Sequence, residues 1–421
     1  MAALPFAETR FAPTPRLLSG IQYYEPLPPL ASAAARNDLV AEIEASGLTG
    51  RGGAGFPTAT KLRAVARGRS PVVVANGTEG EPASAKDKAL LAADPHLVID
   101  GAVTAARLVG ARDVFLAAAR ADGLGLKALV RALDERRGGD GVGLHVVAPP
   151  DRFVAGQESA LVNWINGGPA KPTIDRPFER GVDGRATLVQ NVETLANLAL
   201  IARHGADWFR RIGTDAEPGS ALVTVIGAVR SPGVGEIELG TTLRAVLADF
   251  GGLTAIPQAF LVGGYFGTWL SAEDVYDVPF TNAALAPFGA SLGARVIVVL
   301  PQGACGLAET ARIVRYLAGE SAGQCGSCFF GLPALASAFE TLAFGGGADA
   351  VRAAGRLAGL TRQVENRGAC ALSTGATKLV TSALRVFDRE TARHRDGVCT
   401  GPTHARVAPV PDLYPGELEW S

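Results

Sequence analysis

The chain carries little charge and no excess of one sign. Only 19% of its 421 residues are charged, and 40 Lys and Arg balance 41 Asp and Glu to a net charge of −1. This balance argues against a nucleic-acid partner, because binding the phosphate backbone needs clustered positive charge. Apolar residues make up 48% of the chain. That share indicates a large buried core, divided among about two to four domains at this length.

Signals for export or membrane insertion are also missing from the sequence. We find no apolar stretch that approaches the ~20 uncharged residues of a membrane helix. The segment Met1–Glu8 lacks the basic start and apolar centre of a signal peptide. We therefore expect a cytoplasmic enzyme without a membrane span of its own, although a redox partner in a membrane stays open.

Cysteine is scarce, and it is confined to the C-terminal part of the chain. The five residues are Cys305, Cys325, Cys328, Cys370 and Cys399. So few thiols in so long a chain do not indicate a disulfide framework. In a reducing compartment, a thiol cluster is better explained by metal ligation.

Glycine, in contrast, is abundant, and four of the 52 glycines fall within six residues of one motif, TGRGGAGFPT at residues 49–58. Its glycines let backbone N–H groups approach an anion, Pro57 suits the first turn of a helix, and Lys61 follows one turn later. Together they predict a phosphate-binding loop at a helix N-terminus. A dinucleotide fingerprint would follow a buried strand, whereas Asp38–Glu44 has a helical pattern, which excludes the ordinary NAD-binding turn. A tight glycine loop without a ligand is the alternative.

Residues 37–217 alternate between short apolar strands and helical segments. The pattern predicts strands at Pro71–Ala75, Asp113–Ala117 and Gly143–Val147, with a helix at Leu126–Arg136. Strands separated by helices indicate a largely parallel α/β sheet covered on both faces, with ligands at the carboxyl ends of the strands.

The rest of the chain divides in two. Residues 218–302 read as a small mixed β domain, with strands at Ala221–Ile226 and Ala294–Leu300 and a helix at Thr242–Asp249. Residues 303–397 have helical periodicity. The expected helices there are Ala308–Ala318, Leu332–Leu342, Ala348–Leu357 and Thr377–Arg393. An irregular arm (1–36) and an extended tail (398–421) flank these domains.

Three polar segments could surround a ligand, and the first two of them follow predicted strands. Asn76–Pro82 offers an amide and two carboxylates that can hydrogen-bond the edge of a planar heterocycle. Gln157 and Glu158 open a helix, and Gln190–Leu195 could open another. A solvated acidic turn and ordinary helix capping explain these segments equally well when each is taken alone.

Together with Lys86-Asp87, Asp94–His96 and Arg176–Phe178, these motifs recur in order in one known family. From about residue 38 to 395 the chain resembles the flavin-carrying, NADH-oxidising subunit of respiratory complex I and its relatives in NAD-linked hydrogenases and formate dehydrogenases. The resemblance implies a Rossmann-like FMN-binding α/β domain (37–217), a ubiquitin-like β-grasp domain of the SLBB type (218–302) and a helical iron–sulfur domain (303–397).

The resemblance also implies roles for individual residues. Hydride would pass from NAD(P)H to FMN, whose electrons would leave singly through an iron–sulfur cluster. Those expected to bind FMN are Arg51, Gly52, Gly53, Ala54, Lys61, Asn76, Glu79, Phe153, Gly156, Gln190, Asn191 and Thr194. Phe56 and Phe178 would stack on the adenine of NAD, with Glu81 and Glu158 near the nicotinamide. Glu81, Gln157 and Glu158 are the expected catalytic residues.

The metal site departs from the family pattern. Cys325, Cys328 and Cys370 occupy ligand positions, but Ala322 stands at the position of the first ligand. Three thiolates can hold a [3Fe–4S] cluster, or a [4Fe–4S] cluster with another ligand on one iron. Cys305, Cys399 or a partner group could supply that ligand. An empty site and a structural zinc are the alternatives.

The expected flavin pocket also differs from the family pattern. Phe153 replaces a tyrosine, Gln157 a glutamate and Thr78 an aspartate, while Leu62 and Ala64 stand where aromatic residues are usual. Less negative charge should make flavin reduction easier. The choice among NADH, NADPH and no nicotinamide stays open.

These features predict an FMN- and iron–sulfur-dependent oxidoreductase that accepts hydride from NAD(P)H and passes electrons to a ferredoxin or another iron–sulfur protein. One alternative is a ferredoxin-linked flavin subunit that does not use nicotinamide. The other is a scaffold subunit that has lost its cofactors.

Overall fold

The computed structural model describes residues 16–18, 27, 32–136, 139–399, 401, 406–411 and 420–421. Most of the predicted arm and tail therefore lies outside the described residues. The helices are α1 (Ala33–Ser46), α2 (Thr58–Ala66), α3 (Lys86–Ala93), α4 (Pro95–Val109), α5 (Gly123–Arg136), α6 (Glu158–Ile165), α7 (Val192–His204), α8 (Ala206–Arg210), α9 (Leu243–Asp249), α10 (Ala272–Val275), α11 (Asn282–Leu285), α12 (Gly306–Gly319), α13 (Leu332–Glu340), α14 (Gly347–Val364), α15 (Leu372–Val386) and α16 (Asp388–Arg395). The strands are β1 (Val72–Gly77), β2 (Asp113–Ala118), β3 (Gly143–Val147), β4 (Thr187–Asn191), β5 (Ser220–Gly227), β6 (Gly233–Glu238), β7 (Pro257–Val262), β8 (Thr268–Ser271) and β9 (Val296–Pro301).

The first sheet is parallel throughout and has the strand order β3-β2-β1-β4. Its central strand β1 is a run of apolar, β-branched residues buried on both faces, as expected for a sheet covered by helices. The predicted parallel α/β architecture is therefore confirmed. Because β1 and β4 are neighbours, Asn76 lies opposite Asn191 at their carboxyl ends.

Helices α4 and α7 cross in close contact on this sheet. A Cβ atom at Gly101 of α4 would lie 1.9 Å from the carbonyl oxygen of Leu195 in α7. Only glycine therefore permits this crossing distance. The crossing matters for the site, because α7 begins immediately after β4 with Asn191 as its N-cap.

The second sheet is mixed, with the order β6-β5-β9-β7-β8 and a parallel pairing of β5 with β9. The mixed β-sheet expected for residues 218–302 is therefore present. Its assignment to the ubiquitin-like folds stays a prediction. One edge strand of this sheet, β6, contacts residues 16–18, the first that the structure describes. The carboxylate of Glu236 on β6 accepts backbone N–H groups from Arg16, Leu17 and Leu18 at 2.9, 2.8 and 3.4 Å. Burial raises the pKa of that carboxyl group.

Two boundaries differ from the sequence-based expectation. The irregular arm was expected to reach residue 36, but α1 begins at Ala33 because the Ser32 hydroxyl accepts the N–H of Ala35. The expected single helix Thr377–Arg393 is two helices, α15 and α16, which meet at Phe387. The Phe387 ring packs so closely on Gly306 that a Cβ there would lie 2.3 Å from it. This tertiary contact favours the bend over continuous helix.

One segment contradicts the expectation that no stretch is long and apolar enough to cross a membrane. Ser327–Gly345, which contains α13, spans 19 residues and meets that test by length and composition; α3 and α4 meet it together only as a pair bent by 98°. In the described chain, α13 buries Leu332, Leu335 and Phe339 in the protein core. Core helices of soluble proteins meet the same test, so the segment does not by itself indicate a membrane span.

Candidate functional site

The glycine loop Gly50–Gly55 is pinched at its ends. Thr49 and Pro57 form an isolated β-bridge, and the N–H of Gly50 donates to the Phe56 carbonyl at 2.8 Å. Within the loop, Gly53 and Gly55 have φ values of +112° and +65°. These values lie in the left-handed region, where glycine has no steric penalty. The loop therefore has a defined backbone conformation, which we call the glycine cradle, and is not a flexible linker.

This cradle lies against the N-terminus of α7. The N–H of Arg51 donates to the Thr194 hydroxyl at 2.7 Å, and a Cβ at Gly52 would lie 3.2 Å from the Asn191 side chain. The sequence predicted that the loop works with the helix that follows it, α2. The structure instead brings it to α7 as well, since β4 ends beside the loop. The glycine loop and a helix N-terminus thus lie side by side, an arrangement that suits an anion.

Lys61 on α2 reaches across the end of β4. Its ammonium group donates to the Val189 carbonyl at 2.7 Å and forms an ion pair with Glu158, the first residue of α6. Gln157 is the N-cap of α6, and its side-chain oxygen accepts the N–H groups of Ser159 and Ala160 at 2.9 and 3.0 Å. The capping interpretation of Gln157 is therefore supported. Lys61 and Glu158 belong to the site region together.

Asn76, Gly156 and Asn191 are brought together at the carboxyl edge of the first sheet. The Asn76 amide donates to the Gly156 carbonyl at 2.7 Å, and its oxygen accepts the N–H and the hydroxyl of Thr78. The Asn191 amide donates to Asp87 at 2.7 Å. Gln190, one residue earlier, is buried and donates to the Thr58 hydroxyl at 3.4 Å.

Two expected flavin contacts have side chains engaged elsewhere. The Glu79 carboxylate accepts the N–H groups of Asp87 and Lys88 at 3.0 and 3.1 Å, so it caps α3. The ring of Phe153 packs against Phe266, with centroids 4.8 Å apart. Glu79 and Phe153 could therefore contact a ligand through their backbone N–H and carbonyl groups. Phe153 also places its carbonyl against Gly80, where a Cβ would lie 2.4 Å away.

A buried group of charges lies beneath the glycine loop. Lys86 contacts Asp87 at 2.6 Å and Glu193 at 2.9 Å, and Arg295 donates to the Arg51 carbonyl at 2.6 Å. Burial alone would lower the pKa of Lys86, but the two carboxylates outweigh it and raise that pKa. Burial raises the pKa of Glu193, yet Lys86, Arg295 and Arg51 outweigh it and lower that pKa.

Desolvation is the main cause of the pKa shifts of two further members of this group, Asp87 and Arg51. Burial raises the pKa of Asp87 to about 6, and burial together with the neighbouring Arg295 lowers the pKa of Arg51 to about 10. Three buried cations thus face two buried carboxylates in the part of the chain that is described. The carboxylates of Glu79 and Glu217 also act on this group, so its positive charge is compensated in part before any anion binds.

The donor set fits a phosphorylated, planar cofactor such as FMN. The Nε atoms of Arg51 and Arg295 are buried and have no hydrogen-bond partner among the described residues. Buried donors normally have partners, so unsatisfied guanidinium atoms beside a glycine cradle point to a missing anion. The amides of Asn76 and Asn191 stand at the same sheet edge, where a ring would meet donors and acceptors.

Glu81 connects the loop after β1 to the second sheet. Its carboxylate accepts the N–H of Tyr265 at 2.7 Å and that of Ala83 at 3.1 Å. Gly264 has φ +86°, and a Cβ there would lie 2.6 Å from the Glu81 carboxylate. Burial raises the pKa of Glu81 to about 7. This carboxyl group can therefore exchange a proton near neutral pH.

Glu81 should make stability depend on pH in a defined direction. Its pKa is about 7 in the folded protein against an ordinary 4.5, so the folded state binds the proton more tightly between these values. The stability that Glu81 contributes is complete below that window and is lost as the pH rises through it. We therefore expect the stability difference between wild type and Glu81→Ala, measured by urea unfolding, to shrink as pH rises.

Glu44→Ala is the matched control for this prediction. The hydrogen bond from Arg63 lowers the pKa of Glu44, so its contribution is present at neutral pH and lost on acidification. As the pH rises, the difference in the free energy of unfolding from wild type should therefore shrink for Glu81→Ala and grow for Glu44→Ala. A Glu81→Ala difference that stays constant with pH would contradict the raised pKa.

The two aromatic residues expected at the adenine are both exposed. Phe56 ends the glycine loop and Phe178 follows Pro177, with 52% and 37% of their surfaces accessible. A cavity of about 170 Å³ beside Pro177 is lined by residues such as Asp175 and Arg180. It is smaller than the ~300–1,000 Å³ of usual pockets for a whole cofactor.

The three cysteines expected at the metal site influence one another. Burial, with the Cys325 thiol beside it, raises the pKa of Cys328 to about 12, and burial raises that of Cys370. Burial acts in the same sense on Cys325, but N–H groups, including that of Ala369, outweigh it and lower its pKa. The Ser321 hydroxyl hydrogen-bonds the Cys328 thiol, next to Ala322.

These ligands fit an iron–sulfur cluster only in part. Three thiols match a [3Fe–4S] cluster, or a four-iron cluster whose remaining iron takes a ligand other than cysteine. Cys305 and Cys399, considered from the sequence as that ligand, are grouped instead with Glu390 and His394. Ser321 is the residue that the sequence analysis missed, although its position beside Ala322 was visible.

Long-range members of the flavin-side site were also missed. Arg295 contacts Arg51 across 244 residues, and Glu193 accepts the N–H of Leu222 on β5 at 3.0 Å. No local pattern marks Arg295 as a site residue. Glu193 lies within a segment that was singled out, and its acidic side chain at the first turn of α7 was the available signal.

Comparisons with known proteins agree with this geometry. Residues 43–200 match the Nuo51 FMN-binding domain, and residues 308–394 match the NADH-ubiquinone oxidoreductase-F iron–sulfur binding region. The F subunit of the NADH-quinone oxidoreductase of Mycobacterium tuberculosis (strain H37Rv) is 31% identical over 381 residues, covering 86% of this chain and 85% of the relative. NADP-reducing hydrogenase subunit HndC of Solidesulfovibrio fructosivorans is 29% identical, covering 85% and 76%.

Among solved structures, the chain is similar to the NAD⁺-reducing [NiFe]-hydrogenase in its H₂-reduced state. The TM-score is 0.79 at 29% identity, and the match covers 87% of this chain but 64% of the hydrogenase chain. The resemblance inferred from the motifs is therefore confirmed. The chain belongs to the family of FMN- and iron–sulfur-binding, NADH-oxidising subunits represented by the F subunit of NADH-quinone oxidoreductase.

Proposed function

We propose that this chain accepts reducing equivalents from NAD(P)H and delivers electrons singly to an iron–sulfur protein such as a ferredoxin. When bound, FMN and the cluster supply the exchange between a two-electron donor and one-electron acceptors. The observation that carries the proposal is the convergence of the glycine cradle, the α7 N-terminus and the unpaired guanidinium atoms of Arg51 and Arg295.

The residues divide the task. The N–H groups of the loop, with Arg51 and Arg295 behind it, hold the phosphate, and Lys61 adds a charge over β4. Asn76 and Asn191 orient the ring edge. Gln157 would act through the α6 cap rather than by contact, whereas Glu158 and Glu81 would lie near the nicotinamide. Cys325, Cys328 and Cys370 hold the cluster, with Ser321 beside the incomplete position.

A protein acceptor is favoured by the surface next to the cysteines. Phe329 and Phe330 follow Cys328 directly, are largely exposed, and form an edge-to-face pair with centroids 4.8 Å apart. Phe344 is exposed as well. Exposed aromatic side chains of this kind are typical of docking surfaces. The five free thiols suit a reducing cytoplasm, where we place the reaction.

The first experiment is anaerobic. Purified protein should release FMN on denaturation, and NADH or NADPH should bleach its flavin absorption. Lys61→Met should weaken FMN binding about tenfold or more, since a charge-assisted hydrogen bond is lost. Lys127→Met, at an exposed position of α5, is the control and should leave FMN binding unchanged.

Each of the other outcomes would favour one of the two alternative functions. Flavin that is reduced by a ferredoxin but not by NAD(P)H would favour the ferredoxin-linked subunit. Protein that contains no flavin and takes up none would favour the scaffold and refute the proposal. Electron paramagnetic resonance would separate the cluster types, because a signal in the oxidised protein indicates three irons and one that needs reduction indicates four.

A further inference from the structure

A second group of metal-binding side chains lies outside the cofactor sites. It consists of Cys305, Glu390, His394 and Cys399, whose ligand atoms all lie within 4.8 Å of one another. Cys305, Glu390 and His394 are 3%, 5% and 4% exposed, and Cys399 is partly exposed. Burying a carboxylate, an imidazole and two thiols in one place is costly unless something compensates for their lost solvation.

Three separate stretches of chain are needed to form this group. Cys305 is the N-cap of α12, and Glu390 and His394 lie one turn apart on α16. Cys399 follows α16 after a turn at Gly397, where φ is +76°. The next described residue, Gly401, is pressed so closely on this loop that a Cβ would lie 2.5 Å from the Cys305 nitrogen.

Two of the distances between these ligand atoms fit one tetrahedral ion. A sulfur at ~2.3 Å and a nitrogen at ~2.05 Å from zinc lie about 3.5 Å apart at the tetrahedral angle. The Cys305 Sγ and the His394 Nε2 are 3.5 Å apart. The same geometry places nitrogen and oxygen ligands roughly 3.3 Å apart, and His394 Nε2 lies 3.1 Å from the Glu390 carboxylate.

The other nitrogen of His394 supports the same assignment. His394 Nδ1 lies 3.3 Å from the Leu342 carbonyl oxygen, which can only accept a hydrogen bond. With a metal ion bound at Nε2 in place of a proton, that contact would hold the remaining proton on Nδ1. A carbonyl or carboxylate that orients a ligating histidine in this way is typical of protein metal sites.

We propose that Cys305, Glu390, His394 and Cys399 bind one structural zinc ion. Two thiolates, an imidazole and a carboxylate are ligands that zinc accepts, and a buried set of four leaves no open position for a substrate. Binding releases the thiol protons and forms four metal–ligand bonds without any change in oxidation state. The ion would fasten the segment after α16 to the start of α12.

The test is metal analysis of protein purified under reducing conditions with neither added metal nor chelator. Wild type should contain about one zinc per chain in addition to iron. The double variant His394→Gln/Cys399→Ser should lose that zinc while it keeps its iron. Arg389→Ala, at an exposed position on the same helix, should keep both metals. Cys328→Ser should keep the zinc, since its thiol belongs to the other group.

A second measurement does not depend on the variants folding. Cobalt(II) added to zinc-depleted wild type should produce a thiolate-to-cobalt charge-transfer absorption that zinc abolishes. The proposal fails if folded wild type binds neither zinc nor cobalt, or if mass spectrometry of the as-purified protein shows a Cys305–Cys399 disulfide. It also fails if zinc disappears in Cys328→Ser and persists in the double variant.

Discussion

Replacing Lys86 by methionine should lower the free energy of unfolding by about 3–5 kcal/mol, which makes it one of the most damaging single changes to this protein. The ammonium group is buried and contacts Asp87 at 2.6 Å and Glu193 at 2.9 Å. Methionine fills a similar volume but removes the charge. Glu193 would then depend on Arg51 and Arg295, and Asp87 would lose the cation beside it.

Lys88→Met, two residues further along α3, is the matched control. The N–H of Lys88 still caps onto Glu79 in that variant because the backbone is unchanged. Urea unfolding of both variants, followed by circular dichroism, should show a large loss for Lys86→Met and a change within about 0.5 kcal/mol for Lys88→Met. Equal losses would mean that α3 tolerates no methionine and that the buried charge is not the cause.

Gly101→Ala should be the second large effect, at about 2–4 kcal/mol of lost stability or roughly 5–10 °C in melting temperature. The added methyl would lie 1.9 Å from the Leu195 carbonyl oxygen, so α4 and α7 must separate. Since α7 begins at the flavin-side site, FMN affinity should fall together with the melting temperature. Calorimetry with and without added FMN measures both effects.

Gly355→Ala is the matched control for Gly101→Ala, and it should raise stability rather than lower it. Gly355 lies inside α14, and a Cβ there meets no atom within 4 Å. Alanine should raise stability by up to about 1 kcal/mol, because glycine is the poorer helix former. If both variants lose stability equally, the close helix crossing at Gly101 would not be the explanation.

Local sequence patterns predicted much of the first sheet. The strand Gly143–Val147 has the predicted bounds, and the predicted β1 and β2 are correct to within two residues. Each is a short apolar run of strand length, which is the pattern of a buried strand. The glycine motif likewise predicted a cradle, since positive φ angles at Gly53 and Gly55 are a property of the residue type.

Contacts between distant residues could not be predicted in this way. The break between α15 and α16 follows from the packing of Phe387 on Gly306, far away in the chain. Arg295 beneath the glycine loop and Cys305 beside His394 depend likewise on how separate elements pack. Helix periodicity, capping and turn chemistry are local properties, so they do not predict contacts between residues that are far apart in the sequence.

The binding of Glu236 to the first described residues has a practical consequence for anyone producing this protein. Cutting the chain back beyond Leu18 would strip three N–H donors from a buried carboxylate and leave the Ser220 hydroxyl as its described donor. The same cut would remove Leu17 and Leu18 from the apolar core that they share with Leu222 and Val234. Purification tags should therefore be appended ahead of this segment, and stray proteolysis there is expected to promote aggregation.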